Sequence, residues 1–154
     1  MNAFDRMQSR VLGIDYGTRR VGVALSDPLR LFAHRLMTIQ RKQEDLETLI
    51  LKIKELVEQY QVDTIVVGLP HRTDGRESLI KDEAVAFAES LRHALACRIE
   101  LLDERYTSVM AERVLIETNN KKRRDKGLVD QIAAEILLQD WLDREHGGLT
   151  AHLL

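Results

Sequence analysis

The stretch "VLGIDYGTRRVGVAL", residues 11–25, decides the fold. Two runs of aliphatic and β-branched residues flank the four residues "GTRR", which reads as strand, tight hairpin, strand, with Gly17 taking a special turn conformation. In the second run Val21, Val23 and Leu25 alternate with Gly22 and Ala24, so one face is large and the other small. The first run holds a single acid, Asp15, on the face it shares with Val11 and Gly13. Burying an unpaired carboxylate in a strand costs several kcal/mol or more. Asp15 therefore needs a partner from elsewhere in the chain.

Working outward, Asp27-Pro28 ends the second strand and Leu31 to Ile39 makes a third, completing an antiparallel meander. From Glu44 to Tyr60, Leu46, Leu49, Ile50, Ile53, Leu56 and Val57 follow the helical period. "DTIVVGLP" (63–70) is apolar on both faces, the mark of a strand buried in a parallel arrangement. A loop to Glu77 precedes a helix over 78–96, with Leu79, Ala84, Phe87, Ala88, Leu91 and Leu95 on one side. "RIELLDE" (98–104) is the last strand, and Thr107 is placed to cap a helix running to about Glu117. The charged stretch 119–127 reads as a mobile basic loop, Leu128 to Arg144 as the final helix, and 146–154 as a loosely held tail. This order predicts one α/β domain over 1–154. Its mixed central sheet has a three-strand antiparallel meander followed by parallel strands, with helices on both faces, the layout of the ribonuclease H-like architecture.

Composition is that of an ordinary globular protein, with 154 residues, 44% hydrophobic, 31% charged and a net charge of −2. Any nucleic-acid contact must come from a local patch rather than a basic coat. One cysteine, Cys97, excludes an internal disulfide; it reads as a packed thiol in a reduced, cytoplasmic protein. The first ten residues carry no apolar signal region, and no run approaches the roughly 18 to 20 apolar residues of a membrane span.

Three further acids stand where composition would not place them. Asp103 and Glu104 close a strand at its carboxyl end, where open α/β sheets carry their sites. Neighbouring strand residues face opposite ways, so only one of this pair can share a face with Asp15 unless the strand ends in a turn. Asp130 falls on the apolar stripe of the last helix, beside Ala133, Ala134, Leu137 and Trp141. Carboxylates gathered from remote segments repel unless a cation lies between them, and hard oxygen donors favour Mg²⁺ or Mn²⁺. Two such ions about 4 Å apart can activate water and stabilise a leaving oxygen in phosphodiester cleavage. Each acid also has a structural reading: Asp15 accepting from the hairpin, Glu104 pairing with Arg105, Asp130 capping its helix.

The segment "KKRRDK" (121–126) sets Lys121, Lys122, Arg123, Arg124 and Lys126 just ahead of Asp130, where they can bring a nucleic-acid backbone to the acids. Arg19 and Arg20 in the hairpin extend that patch, whereas the absence of interleaved aromatics argues against base stacking. Gly75 marks a loop that lets backbone approach a ligand, with His71, Arg72 and Arg76 as phosphate contacts or plain surface charge. His34, His93, His146 and His152 lack metal-ligand spacing and read as incidental. Glycine-flanked acidic hairpins also cradle nucleotides in actin-like and sugar-kinase ATPases, but those need two such domains, so no nucleotide cofactor is expected.

Taken together, "GIDYGTRRVGVALSD", "VVGLP" with "DG", "DERYTSVMAE" and "DKGLVDQIAAEILLQ" resemble the YqgF (RuvX) family of Holliday junction resolvases. The resemblance runs through nearly the whole chain in order. It implies a ribonuclease H-like nuclease related to the RuvC-type resolvases. It also implies an association with maturation of the 5′ end of small-subunit (16S) ribosomal RNA precursor. By motif, Asp15, Glu104 (with Asp103 beside it) and Asp130 match the family's acids; the resemblance implies that they hold Mg²⁺ or Mn²⁺, two ions in all, with either Asp103 or Glu104 as the ligand from that pair. The expected activity is endonucleolytic cleavage of ribosomal RNA precursor in ribosome biogenesis, by a monomer or weak homodimer. The alternatives are junction cleavage in DNA recombination and, of another class, a non-catalytic nucleic-acid-binding module; a small phosphotransferase is a third.

Overall fold

The computed structural model describes residues 9–41, 45–69, 77–104, 109 and 126–147. Five strands, β1 (Arg10–Asp15), β2 (Arg20–Ser26), β3 (Ala33–Gln40), β4 (Val62–Leu69) and β5 (Arg98–Asp103), form one sheet in the order β3-β2-β1-β4-β5. The β1–β2 and β2–β3 pairs are antiparallel, and β1–β4 and β4–β5 are parallel. The helices are α1 (Leu46–Tyr60), α2 (Glu77–Ala94) and α3 (Lys126–Glu145). The meander, the parallel β4 and β5 and the helix-covered faces are those expected from the sequence.

Side-chain alternation divides the sheet into two cores. Leu12, Ile14, Val21, Val23, Leu25, Ile65 and Val67 face α1 and α2, packing with Leu49, Ile53, Phe87 and Leu91. Val11, Ala24, Val66 and Leu102 face α3, packing with Ala133, Ala134, Leu137, Leu138, Trp141 and Leu142. Burial of each large apolar side chain contributes about 1.5–3 kcal/mol, and that packing holds α3 helical.

Local chemistry sets several boundaries differently from the sequence reading. Asp45 takes the N-cap of α1, its carboxylate accepting from Thr48 N–H at 3.1 Å, so the helix opens after Asp45 rather than at Glu44. Asp27 Oδ1 accepts from the N–H groups of Leu31 (2.7 Å) and Phe32 (3.1 Å), which removes both residues from β3. On α2 the buried stripe is Ile80, Ala84, Phe87, Ala88 and Leu91; Leu79, expected to join it, lies a full step around the helix and is exposed. Lys126 and Gly127, expected in the basic loop, open α3 instead, because Thr38 Oγ1 donates to the Gly127 carbonyl at 2.6 Å and anchors that turn. Asp130 is therefore inside the helix and is not its cap. His146 is not incidental: its Nε2 lies 2.9 Å from the carbonyl oxygen of Arg30, tying the end of α3 to the β2–β3 turn. Leu69 ends β4 and Glu77 opens α2, although both were expected in the loop 69–77; the rest of that loop, the helix from Thr107 to Glu117 apart from Val109 (helical and 1% exposed), Lys121 to Arg124 and the tail beyond Gly147 lie outside the described residues.

Cys97 is the packed thiol expected, half-buried with Sγ 3.4 Å from the Val62 carbonyl oxygen. Burial raises its pKa, and Asp63 nearby raises it further. Tyr16 is raised likewise by burial, with the Arg41 guanidinium opposing. Both groups are neutral when folded, so the stability they allow is fully present below their unfolded pKa values and is lost as pH climbs through the folded ones. Denaturant midpoints should accordingly fall above about pH 9. Cys97 should react with a thiol reagent at pH 8 at least about tenfold more slowly in native protein than in urea, and equal rates would contradict this burial.

Candidate active site

Asp15 ends β1 and is 4% exposed; Glu104 follows β5 directly and is 3% exposed. The face each acid takes is read from its neighbours. Val11 and Gly13 precede Asp15 on the α3 face, where Val11 packs against α3 and a Cβ on Gly13 would meet Leu138 Cβ at 2.8 Å. Leu102 packs on that same face, and Glu104 comes two residues later. Asp103 points to the other side, where its Oδ2 lies 3.5 Å from Lys81 Nζ on α2. The strand-end pair is thus divided, and Glu104 shares a face with Asp15 while Asp103 does not.

Two glycines bring the acids together. In the sheet register Asp15 stands between Gly22 on β2 and Gly68 on β4. Glu104 Oε1 would lie 3.5 Å from a Cβ on Gly68, so its carboxylate folds over the strand next to Asp15. On the other side α3 rests on β2 at Gly22, where a Cβ would collide with the Asp130 carbonyl oxygen and lie 3.0 Å from Asp130 Cβ. Asp130 therefore stands above the position cross-strand from Asp15, and adjacent strands are only about 4.7–4.9 Å apart. Helix and sheet can approach this closely because the small face of β2 offers no side chain at Gly22 and only a methyl at Ala24.

The first turns of α3 are anchored besides. Gln131 Nε2 donates to Thr38 Oγ1 at 3.0 Å, alongside the Thr38–Gly127 bond. Arg20 Nε donates to Asp130 Oδ2 at 2.9 Å, with the two side chains 27% and 17% exposed. Arg20 was expected at a nucleic-acid contact; here its guanidinium also serves the third acid. Gly22, Gly68, Thr38 and Gln131 were missed as supports of the site; the alternation of large and small residues in β2 was a signal for Gly22 alone. Gly17 does not take the left-handed conformation; what it supplies is space beneath the Arg20 carbonyl oxygen. Arg41 Nη1 donates to the Gly17 carbonyl at 2.9 Å and to Tyr16 Oη at 2.8 Å, bracing the hairpin from the opposite face.

In donor chemistry the cluster suits a divalent ion. Asp15 and Glu104 bring buried hard oxygens to one face, and side-by-side carboxylates there are costly without a cation. Asp130 is engaged by Arg20, and among the described residues no three His, Cys, Asp or Glu side chains are gathered closely enough to hold an ion as they stand. No helix is long and apolar enough to cross a membrane, among the described residues.

Residues 9–144 match the family model RuvX, described as Holliday junction resolvase. The chain belongs to the RuvX family. Relatives named "Putative pre-16S rRNA nuclease" include one from Clostridium acetobutylicum, 41% identical over 134 residues, covering 87% of this chain and 98% of that one. Another, from Moorella thermoacetica, is 42% identical over 135 residues and covers 88% and 95%. Among solved structures, the fold is similar to Thermus thermophilus RuvC in complex with a Holliday junction substrate, with a TM-score of 0.61 at 12% identity, covering 90% and 96% of the two chains. A fowlpox virus resolvase bound to junction DNA gives a TM-score of 0.51 at 10% identity over 88% and 98%. These likenesses place the RuvX chain in the fold of RuvC-like resolvases, the ribonuclease H-like class expected from its element order.

Proposed function

We propose that this RuvX chain is a divalent-metal-dependent endonuclease whose substrate is the precursor of 16S ribosomal RNA, acting in the cytoplasm as a single domain, monomeric or weakly dimeric. The observation that carries the reading is the placing of Asp15 and Glu104, from strands separated only by β4, on the one face where α3 brings Asp130. Asp15, Glu104 and Asp130 would hold Mg²⁺ or Mn²⁺, and two ions suit this reaction class. Bound there, the ions would supply charge stabilisation to an in-line phosphodiester cleavage. The protein's part is to exclude water on the buried side and to fix the carboxylates on rigid elements. The names of the relatives favour ribosomal RNA precursor over branched DNA.

Junction cleavage is the second reading, favoured by the structural likeness to junction-bound RuvC. Purified protein should cut precursor 16S RNA faster than a four-way DNA junction, with Mg²⁺ or Mn²⁺ and not in chelator. Faster junction cleavage would transfer the function to DNA, and cleavage indifferent to chelation would overturn the metal-dependent reading. Binding without cleavage of either substrate would leave a nucleic-acid-binding module.

Lys121, Lys122, Arg123, Arg124 and Lys126, with Arg19 and Arg20, are proposed to hold the phosphate backbone. Neutralising Lys121, Lys122, Arg123 and Arg124 together should reduce the slope of log affinity against log salt by about three. An unchanged slope would return that segment to plain solvated charge.

A further inference from the structure

Arg20 and Asp130 come from positions 110 residues apart and meet at 2.9 Å on the face that carries Asp15 and Glu104. Arg20 reaches that face because it lies two residues before Gly22 on the same strand. The main chain of Asp130 is fixed: its carbonyl rests on Gly22, and Thr38 and Gln131 pin the turns on either side. What remains adjustable is the carboxylate, by rotation about its side-chain bonds. In this structure the guanidinium of Arg20 holds it, while Asp15 lies on the same face, cross-strand from the Gly22 on which Asp130 rests.

We propose that Arg20 is the resident counter-cation of Asp130, and that a divalent ion binds by displacing its guanidinium from the Asp130 carboxylate. This rests on the reading of the three acids as ion ligands. A partly buried carboxylate beside two others needs a positive charge before any ion arrives. Arginine supplies one as a planar fork of N–H donors that matches a carboxylate. Such a pair, about a quarter exposed at Arg20, is held weakly enough to exchange. Arg20 is thus a positioning residue: it keeps Asp130 ordered and lowers the affinity of the site for metal. Displacement leaves the guanidinium on the same face, available to a phosphate.

The test is Mn²⁺ affinity, read from the free-ion electron paramagnetic resonance signal without nucleic acid. Arg20→Gln should bind Mn²⁺ about fivefold more tightly than wild type, Arg20→Lys close to wild type, and Asp15→Asn far more weakly. In wild-type protein the Arg20 Nε–H resonance, assigned by its loss in Arg20→Lys, should move with the same midpoint during a Mg²⁺ titration. This second readout decides the matter even if Arg20→Gln does not fold. Asp15-dependent Mn²⁺ binding with no gain in Arg20→Gln, or an Arg20 resonance unmoved by Mg²⁺, would overturn the exchange and leave the nuclease reading intact. No Asp15-dependent binding in wild type would overturn both.

Discussion

Asp15→Asn is expected to lower cleavage by about a thousandfold or more, the several kcal/mol that an ion's charge contributes to the transition state. The change is nearly isosteric at a site 4% exposed, so the core of β1 is undisturbed. Its effect on stability has the opposite sign to most buried substitutions. Asp15 and Glu104 share a buried face, and removing one of two like charges relieves repulsion. In chelator the variant should therefore melt at the wild-type temperature or above it. With Mg²⁺ at a hundredfold excess over its dissociation constant, wild type should gain about 2.7 kcal/mol, or roughly 5–10 °C for a chain of this size. Asp15→Asn should gain almost none of this. Thermal scans with and without Mg²⁺, beside a cleavage assay, check both halves. Full activity in the variant, or an equal Mg²⁺-dependent rise, would remove Asp15 from the ion site.

How much of this was legible in the sequence depends on the range of the interaction. Alternation in 11–25 and the doubly apolar 63–70 pointed to a mixed sheet, an antiparallel meander followed by parallel strands, because each strand's own burial pattern reports whether one or both of its faces are covered. Asp15, Glu104 and Asp130 stood out as acids in apolar settings, a local signal again. The choice between Asp103 and Glu104 was not local. It turned on where β5 ends and on Lys81, from α2, which takes Asp103 to the far face. The place of Leu79 failed for a similar reason: on a short apolar pattern one step of 100° separates the buried stripe from solvent, and only the docking angle of α2 selects between Leu79 and Ile80. The glycines of 11–25 were read as turn or ligand-binding features. Gly13 and Gly22 do their work against Leu138 and Asp130 of α3, more than a hundred residues later, and no window of sequence contains both partners.

Gly22 gives that long-range contact its largest measurable consequence. A methyl group at Gly22 would strike the carbonyl oxygen of Asp130, which is backbone, and the turn around it is pinned by Thr38 and Gln131. Neither β2, paired on both sides, nor α3, seated on Leu137, Leu138 and Trp141, can yield by a rotamer change. Gly22→Ala should cost about 3 kcal/mol, the upper end of overpacking. Gly68→Ala meets Leu137 Cδ2 at 2.8 Å, the end of a side chain that can turn away, and should cost about 1 kcal/mol. Gly147, where an added Cβ would meet nothing within 4 Å, is the control and should fall within about 0.5 kcal/mol of wild type when changed to Ala. Urea midpoints should rank Gly22→Ala well below Gly68→Ala, and that below Gly147→Ala. Whatever Gly22→Ala retains of the fold should cut poorly, since lifting the first turns of α3 carries Asp130 away from Asp15 and Glu104. Equal midpoints for Gly22→Ala and Gly147→Ala would mean that α3 does not rest on β2 at this point, and the placement of Asp130 above Asp15 would fall with it.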